Sequence, residues 1–569
     1  MKKLKKIVMA SAAVFSLAFA GTTMTKADNF INGADISILD EMEQSGAIYK
    51  INGKQQDPLT ILKNNGVNYV RLRLWVDPYD ANGNAYGAGT NDLNRTLKLA
   101  KRAKNKGLKV LLDFHYSDFW VDPGKQNLPK AWQNQSFEQL NSSVYSYTAD
   151  VLNQMKSQGI YPDMVQIGNE LNSGMLWPYG KSWGGDGKEF TRLATFLKSG
   201  VQAVKDTQQS NTPIMLHLAD GGDKSAFQWW LDEITNQSVD FDIVGISYYP
   251  YWHGTLAELA ENMDNISERY NKKVVVVETA YANTLDNLDQ KTNAVTVTEE
   301  AAAGYKASQD GQYEFLTDLV DKIKDVKNNN GLGFFYWEPL WYNGNVSWAT
   351  QAGMSYLGVS DVTGNEWENQ AVFDFQGNAL RGIKAFNYSN LTNLLQNNSF
   401  EWDGYTESPS SWNIWKNGQI SGIKTEIYDN TRYKLSFWSD KAYESSIYQT
   451  VGNLSSGTYK LSIDAMGDTS LETAELYIKN YGGSEQKISL KDSNTWKTYT
   501  IDNIQITNRQ CEVGAYVKSS ANKWLNIDNV RLVKVDEEKL PQELGSGGDF
   551  CFIFSALFGN CLDFVRNVF

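Results

Sequence analysis

Two glutamates close apolar runs. Glu170 ends Met164-Val165-Gln166-Ile167-Gly168-Asn169-Glu170, and Glu278 ends Lys273-Val274-Val275-Val276-Val277-Glu278. Near-continuous apolar runs of this length suit strands covered on both faces, as in parallel sheets flanked by helices. Each strand would then deliver one carboxylate to the same end of a sheet. Paired carboxyl groups about 5–5.5 Å apart are the working parts of glycosidic hydrolysis with retention, one as acid and base and the other as nucleophile.

The elements that must position such a pair are legible. Short apolar runs recur at Tyr69–Trp75, Leu108–Phe114, Pro213–Leu218, Phe241–Tyr248 and Leu332–Glu338, with a first one around Asn32-Gly33-Ala34-Asp35-Ile36-Ser37. Between them lie stretches with helical spacing, such as Leu93-Leu97-Leu99-Ala100-Ala103 and Phe315-Leu316-Leu319-Val320-Ile323. Eight alternating units predict an α/β fold, a (β/α)8 TIM barrel, over residues 28–390. A doubly wound sheet is the competing fold, but neither a dinucleotide fingerprint nor a Walker loop is present. In a barrel, chemistry gathers beyond the strand C-termini. There stand Asp113, His115, Tyr116, Asp118, His217, Asp220, Ser247, Tyr248, Tyr249, Trp252, His253, Trp337, Glu338 and Trp341, including all three histidines of the chain.

Composition narrows the partner. Aromatics reach 13% with 18 Trp and 30 Tyr, more than burial alone requires, which suits rings that stack on sugars. A net charge of −13 argues against nucleic acid or an anionic membrane and favours a neutral substrate. Residues 1–27 have the make-up of a secretory signal: Lys2, Lys3, Lys5 and Lys6, an apolar run from Ile7 to Ala20, then small-residue exits. No other run reaches the roughly 18 apolar residues of a membrane span. Cysteines are absent between residues 28 and 510, so the large domain depends on its core for stability. From residue 395 to 536 the pattern changes to short alternating strands broken by Gly, Ser and Asn, which predicts an all-β jelly-roll sandwich. Residues 537–569 read as a linker and an unassigned apolar tail, with a faint likeness to a cell-wall sorting signal.

The ordered segments Gly33–Ser37, Tyr69–Pro78, Val110–Trp120, Gln166–Leu171, Val277–Tyr281 and Phe335–Leu340 resemble glycoside hydrolase family 53, the secreted endo-β-1,4-galactanases acting on arabinogalactan. The sandwich is similar to carbohydrate-binding modules that accompany them. The resemblance implies Glu170 as acid/base and Glu278 as nucleophile. Asn169 is then placed to bind the sugar 2-hydroxyl, and Trp337 to floor the reacting sugar. Of Arg71 and Arg73, only one is expected to point inward; Arg71 would support Glu278, with Tyr248 as a further donor. His115, Asp118, Trp120, His217 and Trp341 are expected at the substrate, and Glu338 in a supporting role. Relatives tie the loops after strands seven and eight with calcium, which implies Asp286 and Asp289 as ligands here; Glu401 and Asp528 resemble a structural calcium pair in the sandwich. No organic cofactor is implied. The expected protein is a secreted monomer, free or held at the cell surface, that cuts β-1,4-galactan of type I arabinogalactan. Another endo-glycanase activity (on mannan, xylan or glucan) and a non-catalytic glycan-binding protein are the alternatives.

Overall fold

The structure, a computed structural model, describes residues 30–535 apart from 208–210, 401, 430, 431, 492 and 493. The expected signal segment, Glu401 and the tail 537–569 lie outside the described residues. Eight parallel strands close a barrel: β1 (Ile31–Asp35), β2 (Tyr69–Leu74), β3 (Lys109–Phe114), β4 (Met164–Ile167), β5 (Ile214–Leu218), β6 (Ile243–Ser247), β7 (Lys273–Thr279) and β8 (Gly331–Tyr336). The outer ring includes α1 (Pro58–Asn64), α2 (Leu93–Asn105), α3 (Phe137–Ser157), α4 (Glu189–Thr207), α5 (Lys224–Asn236), α6 (Leu256–Tyr270), α7 (Gln309–Lys324) and the short α8 (Ala385–Tyr388). Local chemistry starts these helices where they start. Asp92 accepts the Arg95 N–H ahead of α2, and Ser136 with Gln139 and Thr255 with Glu258 form reciprocal caps on α3 and α6.

Strand alternation sorts the side chains. Ile31, Tyr69, Leu111, Met164, Met215, Ile243, Val275 and Phe335 fill the bottom of the lumen, while their strand neighbours pack under the helices. Gly33 and Gly245 leave room there: a Cβ on Gly33 would meet the Phe335 ring at 2.2 Å, and one on Gly245 the Met215 sulfur at 2.6 Å. One step up, the same alternation turns Arg71, Asp113, Gln166 and His217 inward, so a polar layer lies on an apolar floor.

Ten antiparallel strands form the second domain: β9 (Asn413–Lys416), β10 (Ile423–Asp429), β11 (Arg432–Trp438), β12 (Tyr443–Val451), β13 (Gly457–Gly467), β14 (Thr473–Lys479), β15 (Gln486–Ser489), β16 (Lys497–Ile506), β17 (Cys511–Ser519) and β18 (Trp524–Lys534). They make two five-stranded sheets, β9-β12-β17-β14-β15 and β10-β11-β18-β13-β16, sharing one apolar core in a jelly-roll-type sandwich. The second sheet docks on the barrel flank through buried ion pairs. Lys460 bonds Asp318 at 3.1 Å, Lys322 pairs with Asp464, and Arg531 reaches Asp321 at 3.1 Å. Val533 beside them belongs to the barrel's own apolar cluster.

Candidate active site

Arg71 organises the barrel mouth. Its Nη1 contacts Asp35 at 3.0 Å and Glu278 at 2.7 Å, its Nη2 contacts Asp113 at 2.7 Å and Asn169 at 3.0 Å, and its Nε donates to Gln166 at 3.3 Å. All five N–H donors are engaged, so the guanidinium is held in one orientation. Arg73 also points inward, against the expectation that only one of the two would. Residues two apart share a strand face, so both side chains enter the lumen. Arg73 pairs with Glu338, donates to Ala88 O at 3.0 Å, and lies 4.7 Å from the Trp120 ring centre and 5.5 Å from that of Trp337.

Glu278 reaches the mouth through a bulge. Val275 and Val277 both face the lumen, so strict alternation would send residue 278 outward. Between β6 and β7 the register passes from Ile246↔Val276 directly to Ser247↔Glu278, leaving Val277 as an extra residue that re-aims the glutamate. Its second oxygen accepts from Tyr249 at 3.2 Å. Tyr248, expected in that role, alternates to the outside; its hydroxyl donates to Gly254 O and its ring stacks on Phe315.

Glu170 sits in left-handed backbone, φ 46° and ψ 61°, directly beyond β4. Tyr116 and Glu338, just past β3 and β8, also have positive φ. Such strain, of order 1–3 kcal/mol per residue, concentrates where side chains are held for function. Ser247 donates to Glu170 Oε1 at 2.7 Å, while its own Cα is paired in register with Glu278. One residue therefore ties Glu170 to the strand of Glu278. Behind it, His217 Nε2 lies 2.8 Å from Ser247 Oγ. Burial and the nearby Arg71 hold His217 well below the usual histidine range, so it is neutral.

The charge balance decides where protons stay. Two guanidiniums, Arg71 and Arg73, face the carboxyls of Asp35, Asp113, Glu170, Glu278 and Glu338. Full ionisation would leave a large uncompensated buried charge. Burial pushes Glu338 up to about 8. Burial and the charge of Glu278 push Glu170 well above the usual carboxyl range. Burial also raises Glu278, but Arg71 opposes it directly, so Glu278 is the member of the pair that ionises first.

The other expected substrate residues divide. Trp120, Trp337, Trp367 and Trp252 form a row along the rim, with successive ring centres 6.0, 4.7 and 6.0 Å apart and Trp252 51% exposed. Asn169 is held by Arg71 and by its own donation to Val121 O. Asp118, His217 and Trp341 are corrections: all are buried with their polar atoms spent inside the protein. Asp118 accepts the Asp77 and Lys130 N–H groups, His217 backs Ser247, and Trp341 donates to Val346 O. His115 accepts from Trp75 Nε1 at Nδ1, which leaves Nε2–H to donate to Asp113 at 2.9 Å. Ser247, Tyr249, Asp35, Asp113 and Gln166 are the partners that sequence reasoning left without roles.

The calcium expectation fails on the donor set. Both Asp289 oxygens accept backbone N–H groups, from Lys291 and Asn365, at 2.7 Å each, and Asp286 is exposed. The Lys291 ammonium bridges the two loops instead, bonding Asp361 at 2.6 Å, lying 3.4 Å from Glu366 and 4.8 Å from the Trp348 ring centre. A divalent cation would be repelled by that ammonium. In the sandwich, Asp528 is buried at the docking face. Among the described residues no cluster of three or more His, Cys, Asp or Glu could hold a metal ion.

Residues 31–386 match the profile of Glycosyl hydrolase family 53. The chain is 37% identical over 381 residues to the endo-beta-1,4-galactanase of Bacillus subtilis (strain 168), covering 63% of this chain and 86% of that one. It is 36% identical over 388 residues to the arabinogalactan endo-beta-1,4-galactanase of Cellvibrio japonicus, covering 67% and 97%. Among solved structures, the family 53 catalytic domain of Ignisphaera aggregans superposes with TM-score 0.59 at 42% identity, covering 63% of this chain and 96% of that one. With the profile spanning the whole barrel, the chain belongs to glycoside hydrolase family 53 and is a glycoside hydrolase.

Proposed function

We propose that the protein is a secreted, endo-acting, retaining β-1,4-galactanase in which Glu170 is the acid and base and Glu278 the nucleophile. The observation that carries this reading is the pair itself. One carboxyl is held neutral by burial and a neighbouring charge, and the other is gripped by a guanidinium with no remaining donor. In the first step Glu278 attacks the anomeric carbon while Glu170 protonates the departing oxygen; in the second, Glu170 deprotonates water, which displaces Glu278. Tyr249 and Arg71 hold the attacking carboxylate, and Trp337 floors the sugar. The row of rings from Trp120 to Trp252 suits a polymer lying along the mouth, hence endo cleavage. The sandwich would bind the same neutral polysaccharide, and the galactanase relatives support galactan as that polymer. The protein would act as a monomer outside the cell. Reducing-sugar release across β-1,4-galactan, mannan, xylan and β-glucan tests the substrate: turnover on galactan is expected, and turnover confined to another polymer would refute it.

A further inference from the structure

Asp220 and His253 stand just past β5 and β6 and meet at the barrel mouth, where His253 Nε2 lies 3.3 Å from an Asp220 oxygen. The loop after β5 is shaped for that approach. Asp220 adopts left-handed backbone, φ 64°, and Gly222 donates its N–H to His253 O at 3.1 Å. A Cβ on Gly222 would meet that same oxygen at 2.3 Å, so the two loops touch there through bare backbone. Trp252 and His253 both donate their N–H groups to Tyr249 O, closing a tight turn that carries the imidazole back over the exit of β6. The ring is buried but for 11% of its side chain and stands steeply inclined to that of Tyr249, centres 5.6 Å apart. Its Nδ1 lies 3.3 Å from the Tyr249 N and 3.1 Å from Ser247 O.

A ring nitrogen either donates or accepts, so Nδ1 serves one of these two groups at a time. Ser247 O already accepts from Gly221 N at 3.1 Å, whereas Tyr249 is buried and its N–H needs an acceptor. The Asp220 carboxylate draws the ring hydrogen to Nε2 and would repel a lone pair there, which leaves the lone pair on Nδ1. Burial lowers the His253 pKa against the pull of Asp220 and so favours a neutral ring. We propose that His253, set in its Nε2–H tautomer by Asp220, is a positioning residue for Glu278, a role that rests on Glu278 being the nucleophile. By accepting the Tyr249 N–H it fixes the turn that aims the Tyr249 hydroxyl at the Glu278 carboxylate, 3.2 Å away. Contact thus runs from the loop after β5, through the exit of β6, to the end of β7. Without the imidazole acceptor the buried Tyr249 amide is stranded, and its hydroxyl loses a fixed aim while the sugar-stacking rings keep theirs.

A double-mutant cycle between residues 253 and 249 tests this in the full chain, with kcat and KM read on the polymer that the unmutated enzyme cleaves. Tyr249→Phe, which removes the hydroxyl from Glu278, should lower kcat about tenfold. His253→Leu should lower kcat about tenfold with KM held within about twofold. Together they should cost no more than either alone, because both break one path. His253→Asn, whose Oδ1 stands where Nδ1 stood, should stay within about threefold of the unmutated kcat. Asp220→Ala should lower kcat in the native background and have no effect beside His253→Asn, which has no tautomer to set. Losses that multiply to about a hundredfold would overturn the proposal, as would a fall in Tm with kcat unchanged, or His253→Asn no better than His253→Leu. Should His253→Leu fail to fold, the Asp220→Ala and His253→Asn pair decides by itself. Normal turnover by Glu278→Gln would sink the nucleophile, and the cycle reports separately whether residues 253 and 249 act as one.

Discussion

Ser247→Ala removes one hydroxyl and nothing else from the site. That hydroxyl donates to Glu170 Oε1 at 2.7 Å and stabilises its ionised form against burial and Glu278. A hydrogen bond to a charged group contributes about 1.5–3 kcal/mol. At about 1.36 kcal/mol per unit, its loss should raise the Glu170 pKa by about 1–2 units. In the proposed mechanism the first chemical step needs Glu170 protonated, so the alkaline limb of kcat/KM should move up by the same amount. The second step needs it ionised as a base. With an aryl galactoside whose leaving group requires little protonation, kcat at neutral pH should therefore fall about tenfold. The assay is a pair of pH profiles, one on galactan and one on the aryl substrate, with Ser247→Thr as the variant that keeps a hydroxyl. An alkaline limb that stays in place or moves down would refute the reasoning.

Glu278→Gln should lower hydrolysis by a factor on the order of 10³ or more while galactan binding in gels persists; near-normal turnover would remove it as nucleophile. Glu170→Ala should keep activity on substrates with very good leaving groups, and equal loss on all substrates would count against its acid role. Excess chelator should leave Tm unchanged, whereas Lys291→Met should cost about 1 kcal/mol, because its partners are partly exposed, and raise KM on galactan more than it lowers kcat. A Tm that falls with chelator would restore the calcium reading. Lys460→Met would strand Asp318 at the domain interface, costing about 3–5 kcal/mol, seen as a lower Tm in calorimetry; an unchanged Tm would mean the docking pairs are dispensable.

The barrel is readable because its strands are continuous apolar runs bounded by polar ends, and every labelled strand from β2 to β8 begins and ends within three residues of the run that predicts it. Both glutamates are readable for the same reason, since each closes such a run. Their support is not. The inward turn of Glu278 depends on the bulge at Val277, which leaves no mark on a sequence of four valines. The exchange of Tyr248 for Tyr249 depends on the phase of β6 at its exit. The inward turn of Arg73, by contrast, follows from strand periodicity alone, which places it on the same face as Arg71. Asp286 and Asp289 have the right chemistry for calcium, but composition cannot reveal that backbone N–H groups already occupy one of them and that Lys291 stands between the loops.

The central claim is that one carboxyl attacks while the other shuttles a proton. Proton NMR of the reducing end first released from galactan tests it directly. Appearance of the β-anomer before mutarotation agrees with double displacement through Glu278. An α-anomer appearing first would mean water attacks in a single step, and Glu278 could not then be the nucleophile nor Glu170 the base of a second displacement.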